Sequence, residues 1–183
     1  MRLATQQAIL SSAMRLFAQN GYAHTSIRKI ATAAEISAGL MYHYYPSKEA
    51  LLEAVFNQTM QQIDEALEPI ILSQPPGRRV QATLEKIFAM LGQDPQFWQL
   101  FYTLRSQPAI MEILGDGFRV RTMALRQFFE GEFIFAGHPS PRIQSYIVYS
   151  LIEGTIQQYL LEPSAYPLQE VVDGIYKQVM EIK

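Results

Sequence analysis

The stretch from Gly21 to Leu51 constrains the fold of this chain more than any other part of its sequence. It holds two apolar runs with helical spacing, and Pro46 stops the second run about seven residues after Ser37. Isolated helices shorter than roughly 12–15 residues are marginal in water, so a helix this short depends on its neighbours for stability. The stretch predicts two short helices joined by a tight turn, with a longer helix behind them.

Residues that start and stop helices punctuate the same stretch. Gly21 follows an amphipathic run and ends it, because glycine adopts a left-handed conformation without steric cost. Thr25, Ser37 and Ser47 are predicted N-caps, whose hydroxyls accept hydrogen bonds from the first amides of the following helices. Helix N-termini carry partial positive charge and free amides, so the three together predict a phosphate-binding surface, helped by Lys48.

The second short helix, at about residues 38–44, is the candidate for contact with DNA. We expect it to pack inward through Leu40 and Met41. A DNA major groove is wide enough to admit one such helix. The residues left free for this contact are Ala38, Gly39, Tyr42 and His43.

The segment from Thr5 to Phe56 resembles the DNA-binding region of the TetR family of bacterial transcription regulators. The resemblance lies in the runs 13–17, 21–22, 25–31 and 42–51, and its segment covers a little over a quarter of the chain. It implies that Thr25, Tyr42 and Lys48 touch phosphates, while Arg28, Ala38, Gly39 and His43 lie near base edges. Ser26, Ser37 and Tyr44 complete the predicted DNA-binding set.

Three positions depart from the commonest family pattern. Glu35 stands where a turn glycine is usual, Ala38 where lysine is frequent, and Leu40 where threonine is common. The resemblance therefore implies that DNA affinity depends more heavily on Arg28 and Lys48. Glu35 is expected to repel DNA slightly.

Each of these side chains also has a purely structural interpretation. Tyr42 and Tyr44 are compatible with core aromatics, although residues two apart cannot both face one side of a helix. Taken alone, His43 is an ordinary surface histidine, and Arg28 and Lys29 form a solvated helix face.

Positive charge is concentrated near the N-terminus. Residues 1–50 hold five Lys and Arg against two acids, whereas the rest of the chain holds ten against fifteen. Counterion release depends on the contacted phosphates and not on the charge of the whole protein, so an acidic chain can still bind DNA.

Composition narrows the class of protein. With 49% hydrophobic and 17% charged residues, this 183-residue chain is not disordered. It has no cysteine, which excludes disulfides and cysteine metal sites and fits a reducing cytoplasm. No run reaches the roughly 20 apolar residues of a membrane span, and the N-terminus has no signal-peptide core. We expect a cytoplasmic protein with no membrane partner, no cofactor and no metal.

Beyond residue 46 the pattern predicts further helices and no sheet. Pro69 is expected to kink or stop the first of them, and Gly115–Gly117 to interrupt a later one. The predicted ranges are 47–72, 78–91, 96–106, 109–135, 142–161 and 168–182.

Bulky aromatic residues and methionines recur in the middle of the chain. On periodicity alone they are plain core, but tryptophan, tyrosine and methionine also suit pockets of variable shape. The family resemblance implies an effector cavity among the central helices. The candidate pocket residues are Phe88, Trp98, Phe101, Tyr102, Met111, Phe118 and Tyr149.

The helix predicted at 142–161 is apolar nearly all round, which indicates burial on two sides. One side suits the domain core and the other a second subunit, in a four-helix bundle with the last helix. The alternative is that Gly154 is only an interior packing glycine. The predicted dimer residues are Ile147, Leu151, Gly154, Gln158, Val172, Ile175 and Val179.

No enzyme signature is present. The three histidines lie far apart, and neither a His-x-x-x-His pair nor a Gly-x-Ser-x-Gly elbow occurs. We predict an all-α chain with a three-helix helix-turn-helix domain at residues 1–46 and a helical effector-binding and dimerisation domain at 47–183. The predicted function is a dimeric repressor that binds a palindromic double-stranded DNA operator and is released by a small, largely apolar effector. The competing class is a helical binding or scaffold protein whose helix-turn-helix no longer binds DNA.

Overall fold

A computed structural model describes residues 2–180 of the chain. Within that range the protein consists of nine α-helices and no strand, which confirms the predicted fold class. The helices are α1 Arg2–Asn20, α2 Ile27–Ala33, α3 Ala38–Tyr44, α4 Lys48–Ser73, α5 Arg79–Gln93, α6 Pro95–Arg105, α7 Pro108–Phe135, α8 Pro141–Leu161 and α9 Leu168–Met180. Across residues 2–180, none of these helices combines the length and apolar character needed to cross a membrane.

The chain forms two compact units. Among the described residues, the first unit contains 2–63 together with 99–117, and the second contains 64–98 and 118–180. The first unit therefore includes the predicted helix-turn-helix segment and also the connection between α6 and α7. The division of the chain into domains at residue 46 stays a prediction.

The predicted stop at Pro69 and the predicted interruption at residues 115–117 are wrong, and a kink at Pro69 stays a prediction. α4 continues through Pro69 to Ser73, and α7 continues through Gly115–Gly117. Pro69 is exposed, so water can satisfy the carbonyl whose hydrogen bond the proline removes. In α7, the buried side chains Leu114 and Phe118 flank the glycines, and their burial outweighs the low helix propensity of glycine.

The core of the first unit fills the space around α1, α2 and α3. Ile9, Phe17, Ile30 and Met41 have no exposed surface, and α2 packs against both α1 and α3. Met41 is the one fully buried side chain of α3, which is only seven residues long. Burial of a methionine stabilises a fold by about 1.5–3 kcal/mol, so this anchor contributes much of what a helix this short requires.

A close helix crossing in the same unit brings Phe56 of α4 against Gly117 of α7. A Cβ atom at Gly117 would lie 2.8 Å from Cε1 of the Phe56 ring, closer than real Cβ contacts. Glycine is thus required at this position by the approach of the ring.

In the second unit α9 packs against α5 and α8. The buried stripe of α8 is Val148, Ile152, Thr155 and Ile156. The connection from α4 to α5 is held by Glu132, which is 8% exposed, accepts from the amide of Gly77 and lies 3.3 Å from Nη1 of Arg79.

The buried face of α9 corrects the predicted dimer surface. Val172, Ile175 and Val179 are 3%, 5% and 0% exposed, so they fill the core of their own unit and are not free to contact a partner. They recur at helical spacing, which makes a core stripe and an interface stripe indistinguishable in sequence. In α8, by contrast, Ile147 is 43% exposed, Gln158 is exposed, and Leu151 and Gly154 are half-buried.

The predicted pocket residues divide between the two units. Phe101, Tyr102 and Met111 belong to the first unit, where Met111 is 37% exposed. In the second unit Phe88, Trp98 and Phe118 are buried, and the Tyr149 hydroxyl bonds to Glu153 and Thr122. A cleft of about 260 Å³ between α5 and α9 is lined by Leu84, Val172 and Tyr176 among others, and by none of the predicted pocket residues.

Candidate nucleic-acid interface

α2 presents its two cations away from the core. Its buried residues are Ile27, Ile30 and Ala31, and Arg28 and Lys29 are exposed on the opposite side. Ser26 caps the helix by accepting a hydrogen bond from the amide of Lys29 at 3.2 Å. Ser26 therefore has the capping role predicted for Thr25.

Thr25 has a different task. It is 1% exposed, and its hydroxyl donates towards the carbonyl oxygens of Gly21 and Leu16, at 2.9 and 3.1 Å. It closes the end of α1, and its side chain is not available to a phosphate. A threonine one residue before a serine leaves the choice of N-cap open, and only the tertiary structure resolves it.

The turn from α2 to α3 is built on Glu35, which adopts a left-handed conformation with φ +56°. The amide of Glu35 donates to Thr32 O and that of Ile36 to Ala31 O, a pattern that ends helices at a left-handed residue. A Cβ atom strains the backbone in this left-handed conformation, which therefore favours glycine. In this chain a glutamate occupies the position despite that strain.

α3 begins at the N-cap Ser37, which accepts from the amide of Leu40 at 3.1 Å. Met41 faces the core, whereas Gly39 and His43 are exposed and Tyr42 is 52% exposed. Ala38, at the start of the helix, is half-buried.

Leu40 corrects the expectation that it packs inward. Its side chain is 40% exposed and lies on the outer side of α3. Seven residues give too little periodicity to show which of two adjacent apolar residues faces the core.

The tyrosines after His43 separate into an outer and an inner residue. Tyr44 is half-buried, with its ring 6.2 Å from His43 and 6.4 Å from Tyr45. Tyr45 is 7% exposed, and burial raises the pKa of its phenol, which accepts a hydrogen bond from Gln6. Tyr45 is the core aromatic here, and its spacing of four from Met41 was the sequence signal for it.

The N-terminus of α4 stands behind α3. Ser47 caps it by accepting from the amide of Ala50 at 3.0 Å, as predicted. Lys48 is half-buried, donates to the carbonyl of Tyr22 at 3.0 Å, and holds its Nζ 4.3 Å from the centre of the Tyr22 ring. Two contacts on one residue hold this cation in place.

Tyr22 and Glu49 complete this corner. The Tyr22 hydroxyl donates to Oε1 of Glu49 at 3.0 Å. Burial, followed by this bond and the negative charge of the carboxylate, raises the pKa of Tyr22. The pKa of Glu49 is lowered, first by a hydrogen bond from its own backbone amide and then by the Tyr22 hydroxyl.

The outer sides of α2 and α3 therefore combine exposed cations, a tyrosine and an imidazole with small residues. Such a surface can bind phosphates through Lys, Ser and Tyr and can read base edges through Arg and His.

Comparison with known proteins places this surface in context. Residues 9–55 match the family model described as bacterial regulatory proteins, tetR family. The HTH-type transcriptional regulator YuxN of Bacillus subtilis is 48% identical over 52 residues, which cover 28% of this chain and 18% of YuxN. The regulator EthR of Mycolicibacterium smegmatis is 32% identical over 92 residues, which cover 49% of this chain and 42% of EthR. The aligned part thus spans less than half of each of these two relatives.

The whole fold also has solved counterparts. The regulator FadR from Bacillus subtilis in complex with stearoyl-CoA superposes with a TM-score of 0.76 at 21% identity, covering 97% of this chain and 98% of FadR. At this identity the likeness concerns the fold alone.

Proposed function

We propose that this chain is a member of the TetR family of bacterial regulatory proteins, whose family model matches residues 9–55, and that it is a dimeric, ligand-responsive transcriptional repressor that binds a palindromic operator. The curated relatives YuxN and EthR are named HTH-type transcriptional regulators. As a regulator of bacterial promoters it acts in the cytoplasm and is not an enzyme.

One observation carries this proposal. α3 is seven residues long, is anchored by the single fully buried side chain Met41, and holds Tyr42 and His43 outward. A core helix would bury its aromatic residues. A helix that exposes them and approaches its partner with glycine on the outer side suits a major groove.

The proposed contacts fall into two groups. Ser26, Ser37, Tyr42, Tyr44 and Lys48 bind phosphates, and the half-buried contacts of Lys48 hold its charge ready for one of them. Arg28 and His43 read base edges, with Ala38 and Gly39 allowing close approach. We add Leu40 to this second group, because an exposed apolar side chain can pack on a thymine methyl group. We omit Thr25, because its hydroxyl is buried and already bonded.

Two copies of the chain are needed to read a palindrome. The proposed interface is the outer side of α8, where Ile143 is 60%, Ile147 43% and Leu161 85% exposed, with Leu151 and Gly154 between them. Such an apolar stripe is uncommon on a monomer and suits a symmetric partner. Two recognition helices roughly 34–36 Å apart would then enter successive major grooves.

A small, largely apolar effector releases the DNA in this proposal. The fold neighbour FadR holds stearoyl-CoA, a ligand with a long apolar chain. The effector acts only if it binds the DNA-free conformation more tightly than the DNA-bound one. Repression follows because a dimer seated on a promoter excludes the polymerase.

The test begins with duplexes selected from a random library by the wild-type chain. Tyr42→Ala should weaken binding to all duplexes alike, whereas Arg28→Ala should relax the base preference. Arg142→Ala, which removes an exposed arginine of α8, is the matched control and should bind as the wild type does.

Salt dependence separates the two classes of function. A regulator loses affinity steeply as salt rises, because each phosphate contact releases counterions. If no duplex is bound even at low salt, the chain belongs to the competing class of helical scaffold or binding proteins.

A further inference from the structure

Two helices of this protein, α2 and α7, end in a left-handed residue and close with backbone hydrogen bonds of their own. In such an ending the second residue after the helix cap donates its amide to a carbonyl five residues earlier. α2 does this with Ile36 N and Ala31 O at 3.0 Å, and α7 with His138 N and Phe133 O at 2.9 Å.

The end of α1 is built differently. Gly21 has φ +81°, so the equivalent bond would join Tyr22 N to Phe17 O. Instead the amide of Tyr22 donates to Oε1 of Gln107 at 2.7 Å, and Nε2 of Gln107 donates to Phe17 O at 3.4 Å. The side chain of Gln107 thus stands between the two backbone groups and satisfies both.

Gln107 reaches this place from a rigid position 85 residues further along the chain. The backbone amide of Gln107 donates to Leu104 O at 3.1 Å. Its backbone carbonyl accepts from the backbone amides of Ile110 and Met111 at 3.0 and 3.1 Å. It precedes Pro108, the first residue of α7, and proline holds the residue before it out of helical geometry. Its side chain is therefore directed by the connection between α6 and α7.

The contact continues from Tyr22 to the proposed DNA-binding surface. Tyr22 is 5% exposed, and its carbonyl accepts from Nζ of Lys48 at 3.0 Å. The same lysine lies over the Tyr22 ring. A side chain that fixes the backbone of Tyr22 therefore also fixes the Tyr22 carbonyl, which is the hydrogen-bond acceptor that orients Lys48.

We propose that Gln107 is a positioning residue for DNA binding, acting through Tyr22 on Lys48. This inference rests on the proposed function and deepens it. It joins the beginning of α7 to a phosphate-binding cation through two hydrogen bonds. A displacement of the α6–α7 connection then changes DNA affinity without any contact between Gln107 and DNA.

A double-mutant cycle on the full-length chain tests the proposal with a selected operator duplex. Lys48→Met should make the slope of log affinity against log salt shallower by about two, one phosphate for each subunit of the proposed dimer. Gln107→Ala should weaken binding several-fold in the wild-type background and leave it unchanged in the Lys48→Met background. Gln99→Ala, an exposed glutamine of α6, is the matched control and should have no effect in either. Equal losses from Gln107→Ala in both backgrounds would overturn the inference.

A measurement without DNA separates this inference from the proposed function. Amide exchange of Tyr22, followed by NMR in the full chain, should become about ten-fold faster in Gln107→Ala, the loss expected for one hydrogen bond. Gln99→Ala should leave it unchanged. Unchanged exchange in Gln107→Ala would mean that α1 closes on itself without Gln107, and the positioning role would be wrong. A wild-type chain that binds no duplex contradicts the proposed function. Even then, the exchange rate of the Tyr22 amide in Gln107→Ala shows whether Gln107 bonds to Tyr22.

Discussion

The phenol of Tyr22 donates to the carboxylate of Glu49 over 3.0 Å, joining the turn after α1 to the first turn of α4 across 27 residues of sequence. The adjacent Lys48 bonds to the carbonyl of the same tyrosine. One buried residue therefore organises an anion and a cation at the edge of the proposed DNA-binding surface. The properties of this corner can be measured independently of any ligand.

Tyr22→Phe should raise the pKa of Glu49, because it removes one of the hydrogen bonds that lower it. A carboxylate with a lowered pKa stabilises the fold above its unfolded pKa, and this stabilisation is lost as pH falls through its folded pKa. The stability difference between wild type and Tyr22→Phe should therefore shrink as pH falls below the ordinary glutamate value of 4.5. Carboxyl NMR titration measures the pKa directly. Tyr42→Phe, at an exposed tyrosine, is the control, and a Glu49 pKa unaltered in Tyr22→Phe would refute the assignment.

Gly117→Ala should destabilise the protein by about 1–3 kcal/mol, because the new methyl group meets the Phe56 ring. Gly131→Ala is the matched control in the same helix, where a Cβ meets nothing within 4 Å. It should stabilise the protein by about 0.5–1 kcal/mol, the usual gain for alanine over glycine in a helix. Urea unfolding midpoints of the two variants should move in opposite directions. A stabilised Gly117→Ala would show that α4 and α7 do not approach as described.

Glu35→Gly should stabilise the protein by up to about 1 kcal/mol, since it removes a Cβ from a left-handed conformation that costs about 1–2 kcal/mol. Glu35→Ala removes the same charge but keeps the Cβ, so it should bring no such gain. Thermal unfolding of the two variants separates backbone strain from charge. If both variants gain equally, the negative charge and not the φ of +56° is responsible.

Ile147→Glu should leave the subunit folded and raise the dimer dissociation constant at least about ten-fold, because a charge enters the proposed apolar interface. Val179→Glu should instead unfold the second unit, since Val179 has no exposed surface. Sedimentation and circular dichroism distinguish dissociation from unfolding. Gln93→Glu, an exposed position in α5, is the control. A wild-type chain that sediments as a monomer would contradict the dimer outright.

Much of the helix arrangement follows from short-range signals. Ser37 and Pro46 bound α3 as predicted, and Ser47 caps α4. Caps and prolines act on backbone groups within one turn of helix, so the residues next to a helix end are enough to predict where it lies. The exceptions are Pro69 and Gly115–Gly117, where long-range packing or solvent outweighs a local preference.

The face that each helix buries was harder to predict. Leu40 and Met41 are adjacent apolar residues, and only the packing of α2 on α3 selects Met41 for the core. In α9, Val172 and Val179 have the helical spacing that predicted a dimer interface, but both side chains are buried in the core of their own unit. An apolar stripe on a helix predicts that the stripe is buried, but it does not predict whether the same subunit or a partner subunit buries it.

The amino-acid sequence alone determined that this chain is helical, where its short third helix begins and ends, and which residues resemble a DNA-binding segment, because caps, prolines and periodicity act between residues close in the chain. Only the tertiary structure decided that Thr25 closes α1 and that Gln107 bonds to Tyr22. These outcomes depend on partners up to 85 residues away, and no local pattern specifies which distant side chain will satisfy a given backbone group.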